Sequence, residues 1–471
     1  MGFSQALSGL NAASSSLDVL GNNIANSQTV GYKSSSAQFA DVFAGSTGLG
    51  TKVSTVLQDF EAGNIEATGR ELDLAISGQG FYRFQQNGEV VYSRNGQLSM
   101  TPDGYLQNAQ GARIMGYGIN AAGNVETGGQ PEVLQVPSEE MPASATTDVA
   151  TTLNLDSREV VGDELSQTTL ATGGTAPNDE TTVNYHYSNN FTVYDSLGNP
   201  RNITVYYEKG EQRVDNTTAT PRDVYYDASS GNNVYYNSGT GNYEDQAGTA
   251  LATQPDTANL TAVMDDTANT WTSRIAMDGQ LLANGADMPQ QSQLTFDANG
   301  QLTAGGNQTY TFASAGFLGG GPQDLTFDLN LAGSTQFGNS SRASDLTQNG
   351  YTSGALVGIT IEEDGTVTRN YTNEQSRPAG QIALANFRNP EGLQAVGDNA
   401  WTSTAASGQE LLGEAGTGVL GTIEAGAIET SNVDLAKQLV DMIVTQRAYQ
   451  ANSQTIKTQD EVLQASINLS R

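Results

Sequence analysis

Both ends of this 471-residue chain carry a heptad, and that restricts the fold more than anything between them. At the start, Phe3, Leu7, Leu10, Ser14, Leu17, Gly21 and Ile24 alternate at spacings of four and three, and five of the seven are apolar. Asp18 is the only charged residue in this stretch. A helix with so few charges on its outer face suits a place among other helices better than open water. At the other end, Leu435, Met442, Tyr449, Ile456 and Leu463 recur every seven residues, and Leu439 joins them at an interleaved position. Val440, Ile443, Val444 and Val462 widen the stripe. Ser431 or Asn432 is placed to cap this helix, with Asp434 in its first turn. Running from Asn432 to Leu469, it spans roughly 57 Å at about 1.5 Å per residue. A 3.5-residue period held that long implies supercoiling against a partner helix.

Between the two seams the period changes. The stretch "FYRFQQNGEVVYSRNGQLSMTPDGYLQ" holds Asn87-Gly88, Asn95-Gly96 and Asp103-Gly104, each a hairpin signal among alternating residues. A similar texture returns in "ALVGITIEEDGTVTRNY" and "GQIALANFRN". In the middle, "VYDSLGNPRNITVYY" and "SQLTFDANGQLTAGG" read as further hairpins. Ten of the 19 tyrosines lie between Tyr185 and Tyr243, a composition that suits exposed strands. The expected order is nested. Residues 1–30 and 431–471 form a terminal helical coiled-coil domain, and 31–70 form a Gly/Ser/Thr-rich connector anchored by Phe39, Val42, Phe43, Leu57 and Phe60. Residues 71–150 and 337–430 form a β-rich domain, and 151–336 form an inserted β domain with a Tyr-rich lobe near 210–250. The fold class is mainly β, sandwich- or barrel-like, with N- and C-terminal α-helices forming an inner coiled coil.

Composition removes several functions. The net charge of −31 repels phosphate backbones and anionic headgroups, so neither nucleic acid nor membrane is expected as a partner. There is no cysteine, hence no disulfide and no thiolate metal site. The single histidine, His186, reads as a strand residue, which leaves Ser-His-Asp catalysis without support. "DANGQ" from Asp297 opens like a calcium loop but has no Glu at the twelfth position, so it reads as a tight turn. "GFLGGGP" lacks the Gly-Lys-Ser/Thr of a phosphate loop. The adjacent acids Glu362 and Glu363, and Glu139 and Glu140, read as solvated turn residues. No enzyme, cofactor or metal is expected. "MGFSQALSGLNAASSSLDVL" has no basic start and no continuous apolar run, so the expectation is a cytosolic protein or export without a cleavable signal.

The segment "NNIANSQTVGYK" resembles the Ala-Asn-x-x-Thr-x-Gly-Tyr-Lys signature of the flagellar rod, hook and hook-associated (axial) proteins. Ala25, Asn26, Thr29, Gly31, Tyr32 and Lys33 fill every fixed position. "RELDLAISGQGFY", "NYTNEQ" with "GQIALANFRNPEGL", and "SNVDLAKQLVDMIVTQRAYQANSQTIKTQDEVLQ" are similar to further family segments. Within the family, the large middle segment fits the hook subunits better than the much shorter rod subunits. The resemblance implies a homopolymer, a flexible curved tube joining the rod to the filament. It implies as partners neighbouring copies, the distal rod protein, the hook-filament junction protein, the hook cap and the type III export apparatus. Assembly contacts are expected at Leu7, Leu10, Leu17, Ile24, Asn26, Thr29, Gly31, Tyr32, Lys33, Leu435, Leu439, Met442, Tyr449, Ile456 and Leu463. Two rivals stay open at this point: another axial component such as the distal rod protein, and a secreted acidic β-rich adhesin or binding module.

Overall fold

The computed structural model describes residues 3–44, 47–120, 123–172, 180–218, 220–265, 269–284 and 288–469. An α-helix at each end, Phe3–Ala25 and Leu435–Leu469, frames a chain whose other regular elements, among the described residues, are nearly all strands. The terminal residues 1–2 and 470–471 of the expected helical domain lie outside the described residues.

The chain divides into two compact units. One comprises residues 1–139 and 355–471, the other 140–354. The boundaries expected at 150/151 and 336/337 need correcting. Both fall inside strands, Asp148–Asp156 and Thr335–Phe337, which pair with each other and so belong to one sheet.

In the first unit the two flanking segments interleave strand by strand. Leu356–Ile361, Thr366–Tyr371, Ser376–Asn386, Arg113–Tyr117, Phe81–Gln86, Glu89–Ser93, Ala400–Thr402 and Gln394–Gly397 are neighbours in that order. The join is antiparallel, with Gly116 opposite Ile382 and Tyr82 opposite Leu384. A core of Leu74, Ile76, Tyr82, Phe84, Ile114, Ile382, Leu384 and Ile423 draws on both segments, so neither can bury its apolar face alone. Asn87-Gly88 closes a two-residue hairpin, both residues at positive φ, as a type I′ turn demands. Asn95-Gly96 does not turn. Gly96 lies in a short strand paired with Leu74, and a Cβ there would meet the Leu74 carbonyl oxygen at 2.2 Å. That glycine serves close packing, which has the same sequence signal as a turn.

The second unit is a sandwich. Asp148–Asp156 runs parallel to Leu325–Asn330 and Thr335–Phe337, and antiparallel to Arg342–Gln348. A second sheet is centred on Thr270–Met277, buried at every position between Pro200–Lys209 and Gln291–Phe296. Val149, Leu153 and Leu155 from the first sheet meet Val193, Ile203, Val205, Trp271 and Ile275 from the second in one core. The Tyr-rich lobe differs from the expected exposed strands. Tyr225, Tyr236 and Tyr243 are buried with Val234 and Leu260 in a small core of their own, while Tyr226 faces out. Period-two alternation puts one tyrosine of each pair inside.

The residues set aside as non-catalytic have structural work. Asp297 Oδ1 accepts from the amides of Asn299 (2.8 Å) and Gln301 (2.9 Å), closing the turn. His186 Nδ1 accepts from the Lys209 amide at 3.1 Å, which leaves Nε2 to donate to the Val160 carbonyl, also at 3.1 Å.

Candidate assembly site

The N-terminal helix ends where its signature begins. Asn26 Oδ1 accepts from Thr29 Oγ1 at 3.1 Å, and Asn26 Nδ2 donates to Asn22 Oδ1 at 2.7 Å. The chain then reverses at Gly31, whose φ is +68° and whose absent Cβ would lie 2.8 Å from the Arg94 carbonyl carbon. Both the conformation and the contact require glycine.

Two residues on, Lys33 is wholly buried. Its Nζ lies 2.7 Å from Glu429 Oε1 and donates to the Glu61 carbonyl at 2.6 Å. Glu429 Oε1 also accepts from the Gly63 amide at 2.8 Å, and its backbone carbonyl accepts from the Gly31 amide at 2.7 Å. Arg94 Nε sits 3.6 Å from the second carboxylate oxygen, an ion-pair distance too long for a hydrogen bond, while Arg94 Nη2 donates to the Gly78 carbonyl at 2.7 Å. Burial pulls the Lys33 ammonium below its ordinary value, against the opposing attraction of Glu429. Burial pulls Arg94 down as well, again opposed by Glu429. This node gathers the end of the first helix, the segment leading to the second helix and the sheet of the first unit.

Asn23 makes a second tie. Fully buried, it donates to the Ser35 carbonyl (2.8 Å) and to Gln438 Oε1 on the C-terminal helix (3.1 Å), and accepts from the Ser35 amide (2.9 Å) and Tyr32 hydroxyl (3.3 Å). The cap of the C-terminal helix is Asp434, whose Oδ1 accepts from the Lys437 amide at 3.1 Å. Ser431 and Asn432 do not cap it. Asn432 Oδ1 instead accepts from the Ser34 amide (2.8 Å), and its Nδ2 donates to the Asp59 carbonyl (2.9 Å).

The expected connector is chiefly a hairpin, Ser35–Ala44 with Thr47–Gln58, laid along the N-terminal helix. The Thr51 amide donates to Ser8 Oγ at 3.2 Å. Of its expected anchors, Phe60 packs edge-on against Phe81 and Trp401 at 5.4 Å between ring centroids. Val42 and Leu57 are half-buried and Phe39 is exposed, while the side chain of Phe43 lies outside those described.

The two helices are antiparallel neighbours. Gly9 abuts Asn452 and Asn23 bonds Gln438, fourteen residues along one helix for fourteen back along the other. The touching face of the first helix therefore runs through Gly9 and Asn23, one residue away from the predicted seam, and Ala6, Ala13 and Leu20 at the same spacing are buried. Opposite it, Gln438, Thr445 and Asn452 recur at sevens and are half-buried. Small and polar side chains let the helix backbones approach closely.

Much of the predicted apolar seams is left uncovered by this contact. Leu7 is 42% exposed, and Leu10, Leu17 and Ile24 are half-buried. Leu435, Leu439, Tyr449 and Leu463 are exposed, and Met442 and Ile456 half-buried. Val440 and Val444 are 60% and 61% exposed. Lys33 and Gly31 need a different correction: both are buried within the chain, so the charge and the turn act inside the fold. The sequence reading missed Glu429, Arg94 and Asn23, and gave Asn432 a cap's role in place of its bonds to Ser34 and Asp59. One signal was present: Lys33 is the only base among the first 51 residues, and a lone cation beside an uncharged helix needs an acid to meet it.

Four family models match along the chain: "Flagella basal body rod protein" over 4–33, "Flagellar hook protein FlgE/F/G D1 domain" over 75–150, "Flagellar basal body protein FlaE D2 domain" over 154–351, and "Flagellar basal body rod FlgEFG protein C-terminal" over 424–469. The flagellar hook protein FlgE of Escherichia coli (strain K12) is 40% identical over 475 residues, covering 100% of both chains. The chain belongs to the flagellar hook protein family. FlgE of Salmonella typhimurium is also 40% identical, over 473 residues and 100% of both chains. Among solved structures, Helicobacter pylori flagellar hook protein FlgE2 aligns at a TM-score of 0.46 with 14% identity, covering 78% of this chain and 100% of that one. The match to hook proteins along the whole length sets the adhesin reading aside and separates this chain from the rod reading.

Proposed function

We propose that this chain is the structural subunit of a bacterial flagellar hook and assembles with copies of itself into a curved, flexible tube. The tube couples the rod to the filament and transmits torque as a universal joint. The observation that carries this reading is the apolar stripe left exposed on the C-terminal helix, Leu435, Leu439, Val440, Ile443, Val444, Val462 and Leu463, with Phe3 and Leu7 exposed on the N-terminal one. Exposed apolar patches of this kind mark surfaces buried by a partner. In the polymer, Leu7, Leu10, Leu17 and Ile24 and the stripe from Leu435 to Leu463 meet neighbouring copies, with the helices as the inner wall and the β units as outer layers. Asn26, Thr29, Gly31, Tyr32 and Lys33 contribute by fixing how the helices leave the first unit. The hairpin Ser35–Gln58 bridges to a neighbour through Phe39 and Val56, both exposed. Wet, polar contacts between β units open and close as the tube bends.

The further partners are the distal rod protein, the hook-filament junction protein, the hook cap and the type III export apparatus.

Electron microscopy tests this on the full chain beside a version lacking 1–31 and 431–471. Curved tubes from the full chain alone are expected. Monomers from both, even with hook fragments as seeds, would overturn the reading.

A further inference from the structure

Each terminal helix carries one charge that has no counter-charge on its own helix. Asp18 is the only charged residue of Phe3–Ala25. On the C-terminal helix, Lys437 is flanked by Asp434 and Asp441, and Lys457 is followed by Asp460 and Glu461, all at spacings of three or four residues. At those spacings a helix balances its own charges. Arg447 has no acid at such a spacing: Ile443, Val444, Gln450 and Ala451 occupy the places. Among the described residues, neither Asp18 nor Arg447 makes an ion pair within the chain.

Both lone charges lie on the side of their helix turned away from the other helix. Gly9 and Gln438 are on the contact between the two. Asp18 follows Gly9 by nine residues and Arg447 follows Gln438 by nine. At about 3.6 residues per turn that is about two and a half turns, which is the opposite face. Both residues are exposed. Arg447 stands one turn beyond Ile443 and Val444, themselves 51% and 61% exposed, so a single cation interrupts the apolar stripe.

We propose that Asp18 of one copy and Arg447 of the next form an ion pair that fixes the register between neighbouring copies. The inference rests on the polymer reading above. Covering the stripe takes Arg447 out of water, and a cation covered without an anion is costly. The surface that covers it therefore has to supply a carboxylate. The acids of the C-terminal helix already have Lys437 and Lys457 beside them, which leaves Asp18 as the helix acid without a partner. Apolar side chains tolerate sliding along a helix, whereas one polar position in an apolar seam selects a single register. Opposite charges meet in the right register, and a shifted one strands both.

The test measures the concentration of full chain left unassembled beside tubes, for the parent, Asp18→Arg, Arg447→Asp and the double variant. Far-ultraviolet circular dichroism of each monomer is compared first. Each single reversal sets like charges together and is expected to raise that concentration by about tenfold or more, with the double variant back within about threefold of the parent. A folded single variant that assembles like the parent overturns the proposal, as does a double variant no better than the singles. A second measurement reads the contact without reversing a charge. The chain has no cysteine, so tubes grown from a mixture of Asp18→Cys and Arg447→Cys copies are oxidised in air and run on a non-reducing gel. Disulfide-linked dimers containing one copy of each are expected, and tubes without them overturn the proposal. A parent chain that forms no tubes, seeded or not, overturns the polymer reading itself and is a separate outcome.

Discussion

Lys33 and Glu429, 396 residues apart in sequence, form an ion pair at 2.7 Å with both side chains wholly buried. Lys33 stands eight residues after the N-terminal helix ends, and Glu429 six before the C-terminal helix begins. Both helices therefore leave the first unit from a single charged point. A buried pair contributes little net stability over an apolar replacement, but it makes each partner depend on the other.

Removing one partner alone should be severe. Lys33→Met leaves the buried Glu429 carboxylate with the Gly63 amide at 2.8 Å and Arg94 at 3.6 Å, and should lower unfolding stability by about 3–5 kcal/mol. Adding Glu429→Gln to it should recover part of the loss. Urea unfolding of the two single variants and the double variant measures the coupling; strictly additive losses would contradict it.

Gly31→Ala tests the turn. The residue needs φ near +68°, and its Cβ would press on the Arg94 and Asn95 backbone at 2.8 Å. Backbone atoms cannot swing aside as a side chain does. A loss of about 1–3 kcal/mol is expected in thermal unfolding, with Gly88→Ala, which meets nothing within 4 Å, less costly despite its own positive φ.

Asp195 gives the second unit a pH dependence. Its side chain is buried, which by itself raises its pKa, but hydrogen bonds from Asn199, Leu197 and Arg201 outweigh burial and hold it below its ordinary 3.8. A carboxyl lowered in the folded state stabilises it above the unfolded value, and that contribution is lost as pH falls through the folded value. Asp195→Asn should therefore be less stable than the parent at pH 7 and converge with it below the ordinary carboxylate range. The chain has two tryptophans, Trp271 in the second unit and Trp401 in the first, so Trp401→Phe leaves one fluorophore reporting on the unit in question. A difference unchanged down to pH 2 would refute the assignment.

Periodic features were legible in the sequence. The helices at both ends follow from heptad spacing, and the Asn87-Gly88 and Asp195–Asn199 turns from residue chemistry. The pairing of the two helices was legible, but its side chains were not, because the heptad marks where an apolar partner is wanted without saying which copy supplies it. Within one chain the helices use Ala6, Gly9 and Ala13, residues that carry almost no hydrophobic signal. The Lys33–Glu429–Arg94 node was equally hidden, since ion-pair partners hundreds of residues apart share no period. "ANSQT" shows the same limit. In its first copy Asn26 closes a helix end, and in its second Asn452 packs on Gly9, so one string does two jobs.

The account's central claim is that the apolar stripe of the C-terminal helix is exposed in the single chain and covered in the polymer. The chain has no cysteine, so Val444→Cys introduces one thiol on the stripe. Maleimide labelling of that thiol, timed in the monomer and in assembled tubes, reads the burial directly. The account predicts fast labelling in the monomer and at least about tenfold slower labelling in the tube. Equal rates in both states would contradict it.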